Sequence, residues 1–291
     1  MSEELILSPK DPAWHERRRE VYTASDMGVL FGLPGFAGRT LSDVWFEKRY
    51  GIKDDRSTPS TRLGQRMESL ILDEAETELG PIGERQEWYC KGNIGATLDG
   101  RCRATGRPVE AKTSGLLWRP DAEWGDGGDE VPSLILLQTM AQIYVTDEDG
   151  GHVAAIIGGR GFMLYEIARH EGLIDDMQRR VDEFWETLAN DTPPAEPPQL
   201  ETLKRIRRQP NKVIERSDEL DGLLEQWGSA CADVKIYEHQ KEQLQAKLLA
   251  KLGDAEAAET SSGLLTYYEQ TRKETLSKAS TFRVLRLKKG A

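Results

Sequence analysis

The chain has 291 residues, 31% of them charged, and a formal net charge of −11. This length predicts about two domains and a sizeable core. Its three cysteines include no CxxC pair, which argues against a disulfide framework, a structural zinc site or an iron–sulfur cluster. No apolar run reaches the roughly 20 residues of a membrane span, and the N-terminus lacks a signal-peptide layout. We therefore expect a cytoplasmic protein with no membrane partner.

Basic residues are clustered along the chain, in "RRR" at 17–19, "KRIRR" at 204–208 and "RVLRLKK" at 283–289. A duplex-binding protein usually shows a basic footprint, and local patches can supply one despite an acidic average. For "RRR" the plain alternative is a solvated helix face. The acidic balance fits an enzyme that collects divalent metal and releases DNA, and it equally fits an ordinary soluble protein. Charge alone does not separate these classes.

The first part of the chain alternates helical and extended patterns. They predict a helix near 62–79, a hairpin-like pair near 94–112, a helix near 133–145, strands at 152–159 and 161–169, and a helix with one apolar stripe formed by Leu173, Met177, Val181, Phe184 and Leu188. This order predicts a mixed α/β domain over residues 1–190.

The segment "DTPPAEPPQ" at 191–199 holds four prolines, which forbid a helix or a central strand, and it predicts a linker. Residues 200–291 form the predicted C-terminal α+β region. A long amphipathic helix is expected at 219–252, either packed on its own domain or facing a partner as a short coiled coil. Two β-like runs follow, "GLLTYYEQT" and "TFRVLRLKK", and they suggest a hairpin.

The short run "VEAKT" at 109–113 raises the first functional hypothesis. On a strand, Glu110 and Lys112 leave the same face. Asp99 stands eleven residues before Glu110, and the intervening turn residues would fold it back toward that face. Two converging carboxylates with no nearby histidine suit Mg²⁺ or Mn²⁺, and Lys112 could orient or deprotonate a water or offset negative charge. The alternative is a solvated sheet edge, because E-x-K arises often by chance in so charged a chain.

A second acid stands on a predicted helix, in "RLGQRMESLILDEAETELG". Glu68 shares a face with Gly64 and with apolar residues, where a carboxylate is costly unless it is paired or binds metal. The alternative is a carboxylate at the edge of the stripe that reaches water. Gln138 in "PSLILLQTMAQIYV" is likewise surrounded by apolar neighbours, where a hydrogen-bonded core amide is the plain alternative.

Taken in order, these segments resemble a known family. The series "AWHERRREVYTASDMGVLFGL", "LGQRMES", "TLDG", "VEAKT", "WG" and "VPSLILLQTMAQIYV" resembles the lambda exonuclease and YqaJ viral recombinase family of the PD-(D/E)XK nuclease superfamily. The resemblance covers roughly residues 13–190, and its specificity lies in the ordered set. One departure is Leu98, where many members have proline before the metal-binding aspartate.

The resemblance implies a role for each matching residue. Asp99, Glu110 and the carbonyl of Ala111 would hold Mg²⁺, for which Mn²⁺ could substitute, and Glu68 would serve a second metal or its water shell. Lys112 would act on the attacking water, and Gln138 would position that water or the scissile phosphate. The terminal 5′ phosphate would be held by two further residues, Arg18 and Ser25.

The resemblance also implies a fold, an activity and partners. The fold would be a PD-(D/E)XK core with a central mixed sheet flanked by helices. The activity would be 5′→3′ digestion of one strand from a double-stranded DNA end, which leaves a 3′ tail. The partners would be a single-strand annealing protein of the RecT or Beta kind and further copies of the chain in a ring-like homo-oligomer such as a trimer, in a phage or prophage setting. The alternatives are an endonuclease or other end-processing nuclease, and a non-catalytic DNA-end or annealing-protein adaptor.

Overall fold

The structure, a computed structural model, describes residues 3–5, 12–35, 38–52, 58–83, 85–115 and 124–271. The chain divides into two compact units, Met1–Arg207 and Arg208–Ala291. The helices are α1 (Pro12–Glu20), α2 (Met27–Leu30), α3 (Leu41–Tyr50), α4 (Pro59–Leu79), α5 (Ser133–Thr146), α6 (Glu171–Ala189), α7 (Leu200–Arg205) and α8 (Asp218–Leu252), with a 3₁₀ turn at Ala24–Asp26. None of the helices in these ranges combines the length and the apolar character that a bilayer crossing requires.

The strands form three sheets within the described residues. They are β1 (Glu3–Leu5), β2 (Tyr22–Thr23), β3 (Ile82–Gly83), β4 (Glu87–Lys91), β5 (Ile94–Leu98), β6 (Gly100–Cys102), β7 (Pro108–Ser114), β8 (Gly150–Ile157), β9 (Gly161–Ala168), β10 (Ala257–Thr260) and β11 (Gly263–Thr266). The central sheet has the order β3-β6-β7-β8-β9, and a second sheet has the order β1-β4-β5-β2. In the central sheet β7 and β8 run parallel and the other pairs antiparallel, so the sheet is mixed.

Both faces of the central sheet are covered by helices, because β8 is apolar on both sides. Val153 and Ala155 face the larger core, which contains residues of α5 and α6, whereas Ala154 lies in a second core with Ile71 and Leu72 of α4. This alternation follows from the two-residue period of a strand. The predicted fold class, a central mixed sheet flanked by helices, is confirmed.

Helix α4 begins and ends where its sequence signals place it. The Thr58 side chain accepts a hydrogen bond from the Thr61 backbone, and Pro59 occupies the first helical position, where its missing N–H costs nothing. The helix ends at Gly80, whose φ is 75°. Burial of the apolar stripe of α4 fixes the rotation of the helix about its own axis. This rotation turns Glu68 toward the cleft described below.

The predicted hairpin is formed by β6 and β7, with Gly106 in the turn at a φ of 79°. Asp99 lies between β5 and β6, at the point where the chain leaves the second sheet and enters the central one. The hairpin therefore brings Asp99 beside the middle of β7, where Glu110 and Lys112 are found.

The proline-rich segment at 191–199 lies within the first unit. Ser42 donates a hydrogen bond to the Glu196 carbonyl, and the Gln199 backbone donates to Asp43 at 2.8 Å. These contacts attach the segment to α3, and the division between the units falls after α7. A segment that cannot form a helix or strand can still dock through its carbonyl and N–H groups.

The second unit contains α8 and a hairpin. Helix α8 begins at the Ser217 cap and matches the predicted long helix, and its apolar side chains Leu220, Trp227 and Val234 are exposed. The run beginning "GLLT" does form a strand, β11, but its partner is β10, upstream. The run "TFRVLRLKK", which was the expected partner and carries the basic residues 283–289, lies outside the described residues.

Candidate active site

A cleft of about 620 Å³ opens in the first unit where α1, α4 and α5 approach the ends of both sheets. It is lined by every residue that the sequence marked as a site candidate: Arg18, Ser25, Glu68, Asp99, Glu110, Ala111, Lys112 and Gln138. Its other lining residues are Trp14, Thr23, Ala24, Gln65, Gln86, Ala96 and Thr97. The fold thus brings together residues that lie far apart in the sequence.

Glu110 is the most enclosed acid of the cleft, with 1% of its surface exposed. Lys112, two residues along the same face of β7, forms an ion pair with one of its carboxylate oxygens. Gln138 of α5 donates to that oxygen at 2.7 Å, and Gln142, one helical turn further, donates to the other. A buried carboxylate is costly unless it is paired and hydrogen-bonded, and Glu110 is both.

The ammonium of Lys112 is held in its charged form. Burial alone would lower the pKa of Lys112, but the charges of Glu110 and Asp99 outweigh it, and its pKa is raised above the ordinary value. In the protein without metal, Lys112 therefore acts as a fixed positive charge rather than as a proton acceptor.

The side chain of Asp99 is hydrogen-bonded to the backbone of β7. One carboxylate oxygen accepts a hydrogen bond of 2.9 Å from the backbone N–H of Ala111. Burial, and next the negative charge of Glu110, raise the pKa of Asp99 well above its ordinary range. The carboxyl of Asp99 thus lies in a place where a negative charge is disfavoured, and the nearby ammonium of Lys112 offsets this only in part.

Glu68 approaches the same place from α4. Burial and next the charge of Glu110 also raise the pKa of Glu68. The face that Glu68 shares with Ile71 and Leu72 is the buried side of the helix, and the carboxylate lies at the end of that stripe, on the cleft. The carboxylate of Glu68, which the sequence places on an apolar helix face, therefore lies beside two other acids, Asp99 and Glu110.

The donor set fits a hard divalent cation. Among the described residues, no three side chains of the types His, Cys, Asp and Glu are gathered closely enough to hold an ion in their present positions. The cleft nevertheless offers only oxygen ligands from three acids, Glu68, Asp99 and Glu110, and the pKa values of the first two are raised first by burial and next by repulsion from the charge of Glu110. Mg²⁺ and Mn²⁺ favour such ligands, and a bound cation would relieve this repulsion.

Arg18 and Ser25 line another part of the cleft. The Arg18 guanidinium lies 4.6 Å from the ring centroid of Trp14, whose indole N–H donates to Thr97 at 3.0 Å. Ser25 is exposed in the 3₁₀ turn, and its hydroxyl is 3.3 Å from that of Thr23. A guanidinium and a hydroxyl at one cleft are suited to a phosphate.

A buried charge network lies behind Arg18 and Ser25. Arg39 contacts Asp26 at 2.9 Å and Glu47 at 2.6 Å, and all three side chains are buried. Burial alone would raise the pKa of Asp26, but Arg39 and other cations reverse the effect and lower it. Lys48, whose pKa is lowered to about 7 chiefly by burial, donates to the carbonyls of Arg18 and Val21, the latter at 2.7 Å.

Among the residues of this region that sequence reasoning missed are Gln86 and Gln142, whose amides contact the acids, and Asp26, which belongs to the charge network. Gln142 follows Gln138 by one helical turn, and this i, i+4 spacing was an available signal. Asp26 follows Ser25 directly in "TASD". Gln86 had no signal, because it lies outside every periodic segment.

The mixed sheet thus brings Asp99 and the Glu110–Lys112 pair to one cleft. Residues 13–149 match the sequence model of the YqaJ-like viral recombinase domain. The resemblance inferred from the sequence is confirmed for that part of the chain.

Individual relatives were also found. The chain is 25% identical over 179 residues to "Uncharacterized protein YqaJ" of Bacillus subtilis (strain 168), a match that covers 59% of this chain and 54% of that protein. Among solved structures, an alkaline exonuclease from Laribacter hongkongensis aligns over 62% of this chain and 94% of its own, with 14% identity and a TM-score of 0.46. A phage-related exonuclease from Haemophilus somnus 129PT aligns over 61% and 99%, with 11% identity and a TM-score of 0.45.

Proposed function

We propose that this protein is a divalent-metal-dependent exonuclease that degrades one strand of duplex DNA in the 5′→3′ direction from an end. The observation that supports this proposal is the convergence, in one cleft, of an acid set with a lysine and of a guanidinium–hydroxyl pair suited to a terminal phosphate. An acid set alone would fit many phosphodiester hydrolases. A phosphate-binding pair in the same cleft favours an enzyme that begins at a strand end.

In the proposed reaction Asp99, Glu110 and the Ala111 carbonyl hold Mg²⁺, and Glu68 serves a second ion or its water shell. The metal, when bound, supplies Lewis-acid activation and charge stabilisation at the scissile phosphate. Lys112 places a positive charge where negative charge accumulates. The Gln138 amide fixes the Glu110 carboxylate, so the ligand keeps its orientation without rearrangement.

Arg18 and Ser25 have a different proposed task, which is to hold the 5′ phosphate of the strand being cut. A guanidinium offers two parallel N–H groups to a phosphate, and the stacking of Arg18 on Trp14 restricts its motion. Holding one end of the strand at a set place would restrict cutting to DNA ends. The 3′ single-stranded tail left by such cutting is the substrate of a strand-annealing protein, which we propose as the partner.

A ring-like homo-oligomer such as a trimer is a further part of the proposal, and it rests on the family resemblance. A closed ring around the duplex would keep the enzyme on its substrate between cuts. Light scattering of the purified protein, with and without a DNA duplex, measures the mass of the assembly and hence the number of chains in it. A monomeric mass in both conditions would exclude the ring.

The test of the function is digestion of an end-labelled linear duplex in Mg²⁺, with 5′-phosphorylated and 5′-hydroxyl ends compared. A closed circular duplex and a Lys112→Ala protein are run beside it, and a chelator replaces the metal in a parallel series. We expect loss of the 5′ label from linear DNA only, faster with the phosphate, and absent in the variant and in chelator.

Other outcomes point to other functions. Cutting of the circle would indicate an endonuclease, and loss of a 3′ label first would indicate the opposite polarity. Binding of DNA ends without metal-dependent cutting of either substrate would indicate a non-catalytic adaptor.

A further inference from the structure

Gln86 lies between two acids of the cleft. Its amide nitrogen is 3.2 Å from a Glu68 carboxylate oxygen and 3.3 Å from an Asp99 carboxylate oxygen. The residue precedes β4, and the pairing of Glu87 with Leu98 places Gln86 directly opposite Asp99 across the β4–β5 ladder. A single amide group therefore contacts an acid from α4 and an acid from the sheet.

The backbone of Gln86 adopts an unfavourable conformation. Its φ is 62°, in the left-handed region. The other non-glycine residues with positive φ among the described ranges are Asp147, Asp191 and Asn211, of the two types that tolerate this region best. Glutamine has no such tolerance, so the fold accepts backbone strain to keep a long amide side chain at this position.

The strained residue is held in place from both sides. Its backbone N–H donates to the Leu98 carbonyl at 2.8 Å. The preceding residue, Arg85, contacts Asp73 at 2.7 Å and Glu76 at 3.3 Å, both on α4. A strained conformation persists only where its surroundings determine it, and such positions concentrate at functional sites.

We propose that Gln86 is a positioning residue of the cleft, whose amide holds the carboxylates of Glu68 and Asp99 in the arrangement that receives a divalent cation. This inference rests on the proposed function. One oxygen of Asp99 is already held by the Ala111 N–H, and Gln86 contacts the other, so the orientation of that carboxylate is determined. Hydrogen bonds to ligating carboxylates orient them, and their loss typically lowers metal affinity by about 10–100-fold.

The test is titration of the full-length protein with Mn²⁺, without DNA, by isothermal titration calorimetry. Gln86→Asn keeps an amide and suits the left-handed backbone, but its side chain is one methylene shorter and cannot span both acids. Gln86→Gly also suits the backbone and removes the amide. We expect both variants to bind Mn²⁺ about 10–100-fold more weakly than the unmodified protein. Nuclease activity should need correspondingly more metal for its half-maximal rate and recover at saturation.

Asn211→Gly is the matched control, because it places glycine at a left-handed position in the other unit. It should bind Mn²⁺ like the unmodified protein. Unchanged Mn²⁺ affinity in Gln86→Asn and Gln86→Gly would overturn the inference, and so would a loss of affinity matched by unfolding of the metal-free variants in a thermal scan. Failure of the unmodified protein to bind Mn²⁺ would overturn the proposed metal site as well, whereas normal binding with unaffected variants would overturn only the role of Gln86.

Discussion

Asp99 and Ala111 are joined by a hydrogen bond of 2.9 Å, from the backbone of β7 to a carboxylate at the junction of the two sheets. This bond holds the Asp99 carboxyl beside β7, where burial, and next the negative charge of Glu110, raise its pKa, while the bond itself acts in the opposite direction. The buried position that Asp99 has in the proposed metal site therefore disfavours its ionised form in the metal-free protein.

Replacing Asp99 by Asn should raise stability and abolish cutting. The Asn side-chain oxygen can still accept from Ala111, so the fold is kept, while the disfavoured charge is removed. Because the pKa of Asp99 is raised in the folded state, that state binds more protons than the unfolded chain above about pH 4, and Asp99 costs stability as pH rises. In chelator, the thermal midpoint of Asp99→Asn should exceed that of the unmodified protein by an amount that grows from pH 4 upward. A constant gap would contradict the assignment, and cutting should fall at least about 10²-fold.

Two substitutions of Lys112 distinguish the effect of its charge on the cutting rate from the effect of its shape. Lys112→Met keeps most of the side-chain volume, removes the positive charge and leaves Glu110 without its ion-pair partner, so cutting should fall by about 10²–10³-fold. Lys112→Arg keeps the charge but not the compact ammonium, and we expect it to restore only a small part of the rate. Single-turnover digestion of the linear duplex measures the chemical step in each variant. A Met variant with unchanged single-turnover rate would remove Lys112 from the chemistry.

The sequence indicated the residues with proposed chemical roles better than the residues that hold them in place. Glu68, Asp99, Glu110 and Lys112 could be found because their residue types and order match a family, and because an acid on an apolar stripe is itself unusual. The β6–β7 hairpin was predictable from its turn residues, and it explains how Asp99 reaches β7. Local signals of this kind need no knowledge of tertiary contacts.

Residues whose role depends on long-range contacts gave no comparable signal. Arg39 forms ion pairs with Asp26 and Glu47, which belong to different elements, and no sequence spacing indicates that meeting. Gln86 meets Glu68 only because the β4–β5 ladder ends beside α4. The strand β11 was predicted, but its pairing with β10 was not, because pairing depends on the turn between two strands as well as on the pattern within each of them.

Arg18 should determine which DNA ends are used. Arg18→Lys keeps a positive charge but loses the two-pronged contact and the flat group that stacks on Trp14. We expect the preference for 5′-phosphorylated over 5′-hydroxyl ends to fall at least about tenfold, with little change on hydroxyl ends. The rates of both substrates are measured in one competition reaction with distinct labels. Arg17→Ala, on the exposed side of the same helix, is the control and should keep the preference.

A loss of rate on both ends in equal measure would assign Arg18 to general DNA binding instead. Salt dependence then distinguishes the two roles, because a phosphate contact anywhere along the duplex lowers affinity in a salt-dependent way. The competition ratio is independent of that effect, and it is therefore the decisive measurement.

Arg39 should be essential for the stability of the region behind Arg18. Removal of one partner from a buried ion network leaves the others uncompensated, and Arg39→Met should cost about 3–5 kcal/mol in the free energy of unfolding. Arg49→Met, which breaks an exposed Arg–Asp pair of similar length, should cost far less, because water and salt screen an exposed pair. Urea denaturation at pH 7 measures both values, and equal losses would contradict the distinction between buried and exposed pairs.

The same network predicts a loss of stability in acid. The folded-state pKa of Asp26 is lowered, so its contribution to stability is present above the unfolded pKa, near 3.9, and is lost as pH falls toward the folded value. Asp26→Asn lacks that contribution at every pH. The difference in unfolding free energy between the unmodified protein and Asp26→Asn should therefore be largest at neutral pH and shrink below about pH 4. The ionised Asp26 thus adds stability as pH rises, whereas the ionised Asp99 is expected to cost stability. Urea denaturation of Asp26→Asn and Asp99→Asn from pH 3 to 7 tests this difference between the two buried acids. A difference that stays constant through the acid range would show that the Asp26 carboxylate is not held ionised by Arg39.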